Sequence, residues 1–143
     1  MSASDAMENA VLLITYNATT WANYAINATS SPQTDIANSL HTADPGDAGT
    51  MSTSEAAYTD YARVDVVRSA VGWTVTANSV SPAAAIEFPV SGASGTTITH
   101  WATGKTGGGA AAILVSGTVT PNIAIGSAGI TPTLSTASAI TCV

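Results

Sequence analysis

The sequence predicts a mainly β fold, an antiparallel β-sandwich or a jelly-roll-like barrel, with one N-terminal α-helix. The first observation is that only residues 5–17 show the three-to-four-residue spacing of apolar side chains that is typical of a helix. The second is that segments of strand character follow one another every ~10–15 residues, with Gly, Pro and Asn turn signals between them. The chain has 143 residues, enough to bury a core. We therefore predict a single domain over residues 1–143, with a helix and loop arm at 1–34 and a β domain at 35–143.

The helix prediction depends on its start and on one apolar stripe. Asp5 and Glu8 are spaced like a capping box, and both acids favour a helix N-terminus. Leu12 and Leu13 widen the stripe, which suggests burial against a sheet or a neighbouring subunit. The stripe itself consists of Met7, Ala10, Val11, Ile14 and Ala18.

The strand predictions depend on alternation and on turns. Asp44-Pro45-Gly46-Asp47 is a turn, because Pro presets φ at the second position and Gly tolerates a positive φ at the third. Ser69-Ala70 is short enough to join the strands on either side of it in a hairpin. The apolar run at 111–116 suggests burial on both faces. The predicted strands are 36–42, which is weak, and 61–68, 71–76, 84–90, 96–103, 111–116, 119–125 and 130–140.

Composition limits the classes of function. Only 8% of residues are charged, the net charge is −6, and three basic residues cannot form the cationic footprint that nucleic acid requires. So few charges suit a subunit packed in an assembly, although an Ala/Thr/Ser-rich solvated surface is the alternative. Cys142 is the single cysteine, so no intramolecular disulfide is expected. Residues 106–143 are uncharged, but Gly and Pro divide them into pieces far shorter than the ~20 apolar residues of a membrane helix, so no membrane is expected as a partner.

No motif predicts catalysis or a bound cofactor. Gly104-Lys105-Thr106 resembles the end of a phosphate-binding loop, but the first glycine of that motif is missing and a hairpin turn is the simpler interpretation. His41, Asp44 and Asp47 could offer ligands to a cation, whereas Asx-turn hydrogen bonding by the two aspartates explains them more simply. A serine near His41 or His100 could form a nucleophile–base pair, but no nucleophile-elbow motif is present. We expect no enzyme activity.

Charges and aromatics provide the candidate interface. Six of the twelve charged residues fall between Asp47 and Arg68, either as a docking face or as a solvated face with weak surface ion pairs. The tryptophans could anchor an interface, stack on sugars or fill the core. The predicted interface residues are Trp21, Tyr24, Asp60, Tyr61, Arg63, Asp65, Arg68 and Trp101.

Two strings carry a family resemblance: SLHTADPGDAG at residues 39–49 and EAAYTDYARV at 55–64. Together with segments at 70–81, 86–89 and 97–101, they make most of Ser39 to Gly117 similar to a family of small tailed-bacteriophage virion proteins, often named tail-fibre or structural proteins. The resemblance implies a non-enzymatic virion component without a cofactor.

Within that class, the low charge favours a capsid decoration or cement protein. Such a protein would contact the major capsid protein or other virion proteins and would form a homo-oligomer. Apolar burial and strand-edge pairing between subunits would stabilise the shell. The second hypothesis is a tail or tail-fibre component, possibly a glycan- or receptor-binding module with Trp21 or Trp101 as the stacking surface. An enzyme is the third.

Overall fold

The computed structural model describes residues 5–20, 33–107 and 113–141. Over these residues the chain forms one helix and short to medium antiparallel strands, so the predicted mainly β class with one N-terminal helix is confirmed. The elements are α1 (Asp5–Tyr16), β1 (Asp35–His41), β2 (Val64–Val67), β3 (Trp73–Thr76), β4 (Ser79–Pro82), β5 (Ile86–Glu87), β6 (Thr96–Lys105), β7 (Ile113–Ile125), β8 (Thr133–Leu134) and β9 (Ile140–Thr141).

These strands form three sheets, with the orders β2-β1-β6-β7, β3-β4-β9 and β5-β8. The chain divides into two compact units. Unit 1 takes its described residues from Met1–Asp35, Val66–Ile86 and Leu134–Val143, and unit 2 takes its own from Ile36–Asp65 and Glu87–Thr133. The single domain expected over residues 1–143 stays a prediction.

In unit 1 the helix lies close to its predicted position in the sequence, but the face that it buries differs from the predicted one. The buried residues are Glu8, Leu12 and Tyr16, four positions apart, while Met7 of the predicted stripe is 48% exposed and Val11 is also exposed. Tyr16 explains the rotation, because its ring meets that of Trp73 edge-on at 5.0 Å between centroids. The predicted stripe through Met7 and Val11 is therefore wrong as a core face.

The hairpin expected across Ser69-Ala70 is also wrong. Strand β3 pairs instead with β4, from Trp73 opposite Pro82 to Thr76 opposite Ser79. The two residues between these strands are Ala77 and Asn78, and Ala77 has a φ of 52°. Sequence patterning missed β4 because its Ser-Val-Ser-Pro residues alternate only weakly in hydropathy.

Unit 2 is built on β1 and β6. The segment 36–42, predicted as a weak strand, is in fact among the most buried of the fold, with six of the seven residues of β1 buried. It pairs antiparallel with β6, and Leu40 lies opposite Trp101. Ala37 and Ala102, from these two strands, pack with Met51 of the following loop, and Ile113 borders that cluster.

The predicted strands 111–116 and 119–125 join in one strand, β7. Residues 111 and 112 lie outside the described residues. The expectation that this run is buried on both faces is wrong, because Leu114 is 48% exposed. β7 is the last strand of the four-stranded sheet, so among the described strands it has a neighbour, β6, on one side only, and its side chains are less enclosed than those of an inner strand.

Candidate functional site

A hydrogen-bonded group of side chains links β1 to the loop that follows it. Ser39 and His41 lie on the same face of β1, since side chains two apart in a strand share a face. The Oγ of Ser39 is 2.7 Å from Nε2 of His41, and Nδ1 of His41 is 2.8 Å from the carbonyl oxygen of Thr53. A carbonyl can only accept, so Nδ1 carries the proton and Nε2 of the neutral ring accepts from the Ser39 hydroxyl.

Burial keeps this histidine neutral. Desolvation lowers the pKa of His41 below 6.5, against the opposing effects of the Thr53 hydrogen bond and the Glu55 carboxylate. Arg63 and His100 lower it further. The pair has the geometry of a nucleophile and its base, yet Ser39 and His41 are both 0% exposed. No substrate reaches them in this conformation, so the arrangement acts as a polar part of the core.

Glu55 and Arg63 form an ion pair, and the phenol of Tyr61 donates to the same carboxylate. Arg63 donates from Nε and Nη2 to the two carboxylate oxygens of Glu55, at 2.6 and 2.7 Å. Tyr61 donates to the same carboxylate at 3.1 Å and accepts from the backbone N–H of Leu40 at 3.0 Å. The side chains of Arg63 and Glu55 are 15% and 18% exposed. Of these two predicted interface residues, Tyr61 therefore fixes the 55–63 segment onto β1, and Arg63 joins the two ends of that segment.

Hydrogen bonding and burial shift the pKa values of Arg63 and Tyr61. The hydrogen bonds to Glu55 raise the pKa of Arg63, and burial raises the pKa of Tyr61. Both side chains thus keep their protons, the guanidinium as a cation and the phenol neutral.

Arg68, another predicted interface residue, caps the helix within unit 1. Helix α1 has no basic residue in its last turn, so its terminal carbonyls have no local cation. Arg68 donates from Nε and Nη2 to the carbonyls of Thr15 and Ile14, and from Nη1 to that of Gln33 at 3.2 Å. A cation at this end of a helix stabilises it through hydrogen bonds and through the helix dipole.

The remaining predicted interface residues divide by exposure. Asp60 and Asp65 are exposed, as a docking face would require. Trp101 is only 7% exposed, and its indole N–H donates to Oδ1 of Asn38 at 3.1 Å. Trp101 is therefore a core residue, and its burial does not support a role in an interface or in stacking on a sugar. Trp21 and Tyr24 lie outside the described residues.

The described residues do not form the cation site or the phosphate-binding loop considered as alternatives. Oδ1 of Asp44 accepts from the backbone N–H of Gly46 at 2.9 Å, which is the predicted Asx turn, and both ring nitrogens of His41 are occupied as described above. Over the part of the chain that the structure describes, no three His, Cys, Asp or Glu side chains cluster as metal ligands would. Gly104 and Lys105 lie in β6 and not between a strand and a helix. No described helix has the length and apolarity to cross a membrane.

Sequence reasoning missed Asn38, Ser39 and Thr53 as structural polar residues. Asn38 donates to the carbonyl of Val64 at 3.1 Å, as well as accepting from Trp101. The available signal was the Ser-x-His spacing, which places two hydrogen-bonding side chains on one strand face. Thr53 contributes only its carbonyl to His41, and no sequence pattern reports that.

Comparison with known proteins identifies a family for this chain. No curated protein matches the chain, whereas the family model described as podophage GP4 fiber I protein gp80 matches residues 3–139. The expected kinship with phage virion structural proteins is thereby confirmed. Because the match covers nearly the whole sequence, the chain belongs to the podophage GP4 fiber I protein gp80 family and is a structural, fibre-type component of a phage virion.

Proposed function

We propose that this protein is a non-catalytic subunit of a virion fibre, held there by contacts with further copies and with other virion proteins. The observation that carries the proposal is the family match over residues 3–139. It supports the fibre hypothesis over the capsid decoration that the low charge first favoured, because the family is described as a fibre protein and the match says nothing of a shell-stabilising role.

The side-chain arrangement supports a structural role. The Ser39–His41 pair, which has the geometry of a reactive group, is sealed from solvent. The ion pair between Glu55 and Arg63 joins the two ends of the 55–63 segment, which Tyr61 holds to β1 by accepting from the N–H of Leu40. Groups that an enzyme would expose to a substrate are here used to fix the fold.

A receptor-binding role through Trp101 has less support. A sugar-stacking tryptophan must present a ring face to solvent, and the ring of Trp101 lies in the core with its N–H bonded to Asn38. The fibre proposal therefore assigns this residue to stability and leaves recognition of the host to other surfaces.

The location can be tested on intact virions with Fab fragments raised against the purified chain and imaged by electron cryo-microscopy. We expect Fab density along fibres and none on the faces of the head. Fab preincubated with excess purified chain is the control and should leave the virions bare. Regular Fab density over the capsid lattice would contradict the fibre proposal and restore the decoration hypothesis.

A further inference from the structure

The outer edge of β7 is the longest unpaired strand edge in the described structure. β7 has 13 residues and ends the four-stranded order β2-β1-β6-β7. Its pairing with β6 is regular from Thr103 opposite Val115 to His100 opposite Thr118, with one register shift between this run and Ile113 and a second beyond Thr118. Residues 113–118 have no strand partner on their other side among the described strands, so their outward backbone donors and acceptors are a template for another strand.

The opposite edge of the same sheet is protected in ways that β7 is not. β2 has four residues and includes the exposed Asp65, and both shortness and charge discourage edge pairing. β7 carries no charged residue. Its own interruptions are the register shift between Ile113 and Val115 and, beyond Thr118, an irregular part that contains Pro121.

The side chains along this edge are incompletely covered. Ile113, opposite Gly104, borders the Ala37–Met51–Ala102 cluster and is only partly buried. Because of the register shift beside Gly104, Val115 lies opposite Thr103 on the other face, where it is also only partly buried. Leu114, between them, is 48% exposed. An added strand would cover apolar surface on both faces while pairing the free backbone groups.

The charge distribution indicates that the added strand is uncharged. Residues 106–143 contain no charge in a chain with a net charge of −6. Copies of the chain repel one another through the charged segments, and that repulsion is smallest where the charges are absent. A strongly basic or acidic partner strand would find no complementary charge on this edge, whereas β7 of a second copy matches it in length and in neutrality.

We propose that the first half of β7, Ile113–Thr118, is the surface through which copies of this chain pair edge to edge. The proposal deepens the fibre function proposed above and rests on it for its biological setting. Pairing of this kind joins the four-stranded sheets of two copies into one continuous sheet, so it fixes the orientation of adjacent subunits as well as their attachment.

Charge substitution tests the edge without touching the core. Leu114 and Thr118 are exposed, so a Leu114→Lys/Thr118→Lys variant and a Leu114→Asp/Thr118→Asp variant should both fold. We expect the full-length wild type to associate in sedimentation experiments up to about 100 µM, and each variant alone to associate about tenfold or more weakly, because like charges on facing strands repel. An equimolar mixture of the two variants should recover association, since opposite charges then face each other.

The matched control is Val71→Lys/Thr74→Lys, which makes the same change in net charge at exposed positions of unit 1 and should associate like the wild type. A monomeric wild type, or association that neither variant weakens, would overturn the proposal. So would failure of the mixture to recover association while circular dichroism shows both variants folded. Association that persists while Fab fragments label only the capsid would overturn the fibre function and leave the β7 contact standing.

Discussion

The two compact units differ in how many polar side chains they bury. Both contain packed rings, Tyr16–Trp73 in unit 1 and Tyr58–Tyr61 and Tyr61–Phe88 in unit 2, but unit 2 holds five of the six buried polar or charged residues found in the described part of the chain. Glu8 is the one in unit 1, and the five of unit 2 are Asn38, Ser39, His41, Ser91 and Thr103.

The difference concerns what each kind of contact determines. Aromatic burial, which both units have, contributes free energy in proportion to the area removed from water. Each polar group in unit 2 requires a partner at a fixed place, so a shift of one residue in register would leave it unsatisfied. Ser91 illustrates this: its Oγ donates to the carbonyl of Ser127 at 2.9 Å and accepts from the N–H of Ile130 at 3.1 Å. The buried hydrogen bonds of unit 2 thus fix the relative positions of its segments more narrowly than the contacts of unit 1 do.

The largest effect is expected from Trp73→Ala in unit 1. Removal of a fully buried tryptophan should lower the free energy of unfolding by about 3–5 kcal/mol, as measured by chemical denaturation. Hydrogen exchange should then accelerate in α1, β3 and β4 more than in β1 and β6. Val71→Ala, at an exposed position nearby, is the control and should change stability by less than about 0.5 kcal/mol. Equal acceleration in both units would show that they unfold together.

The next effect is expected from Glu55→Ala in unit 2. It removes the carboxylate that accepts from Arg63 and Tyr61, and should cost about 2–3 kcal/mol because both ionic side chains are mostly buried. Asp65→Ala, which removes an exposed carboxylate from β2, should have little effect. The double variant Glu55→Leu/Arg63→Met should recover much of the loss, since no charge is then left without its partner. If the double variant is as unstable as Glu55→Ala, the ion pair is not the source of the cost.

A smaller effect is expected from Arg68→Ala, which removes the cation at the end of α1 and should cost about 1–2 kcal/mol. The loss should appear as faster hydrogen exchange in the last turn of the helix. Arg68→Lys keeps the charge but not the planar set of donors, and should recover only part of the stability. Full recovery would mean that charge alone is responsible.

The smallest effect is the pH dependence contributed by His41. Its pKa lies below 6.5 in the folded chain, so below pH 6.5 the unfolded chain binds a proton that the folded one does not. Stability from this group is therefore present above pH 6.5 and lost as the pH falls towards the folded-state pKa, by at most about 1.4 kcal/mol per pH unit. Denaturation curves between pH 7.5 and pH 5, compared with those of His41→Gln, should show this slope in the wild type and not in the variant. Parallel curves would contradict a buried neutral His41.

Several features of the fold follow from the sequence. The helix at 5–17, the Pro45-Gly46 turn and the alternating strand of 96–103 are local features, and each appears close to its predicted place. They depend on nearest-neighbour chemistry, which the sequence contains in full. The expected kinship with phage virion structural proteins is supported by the family match over residues 3–139.

Other features depend on contacts between residues far apart in the chain. The buried face of α1 was set by Trp73, 57 positions beyond Tyr16. Arg63 and Arg68 were predicted together as one docking face, yet one pairs with Glu55 and the other with helix carbonyls 53 and 54 residues away. The burial of β1 could not be predicted from Ala37-Asn38-Ser39, because the partners that satisfy Asn38 are Val64 and Trp101.

The sequence by itself determined the β class, the N-terminal helix, the scarcity of charge and the family. Only the tertiary structure decided which polar side chains are buried with a partner and which strand edge has no neighbour among the described strands. The physical reason is that propensity and turn chemistry act over a few residues, whereas the satisfaction of a buried donor and the exposure of an edge depend on which distant segment lies beside it.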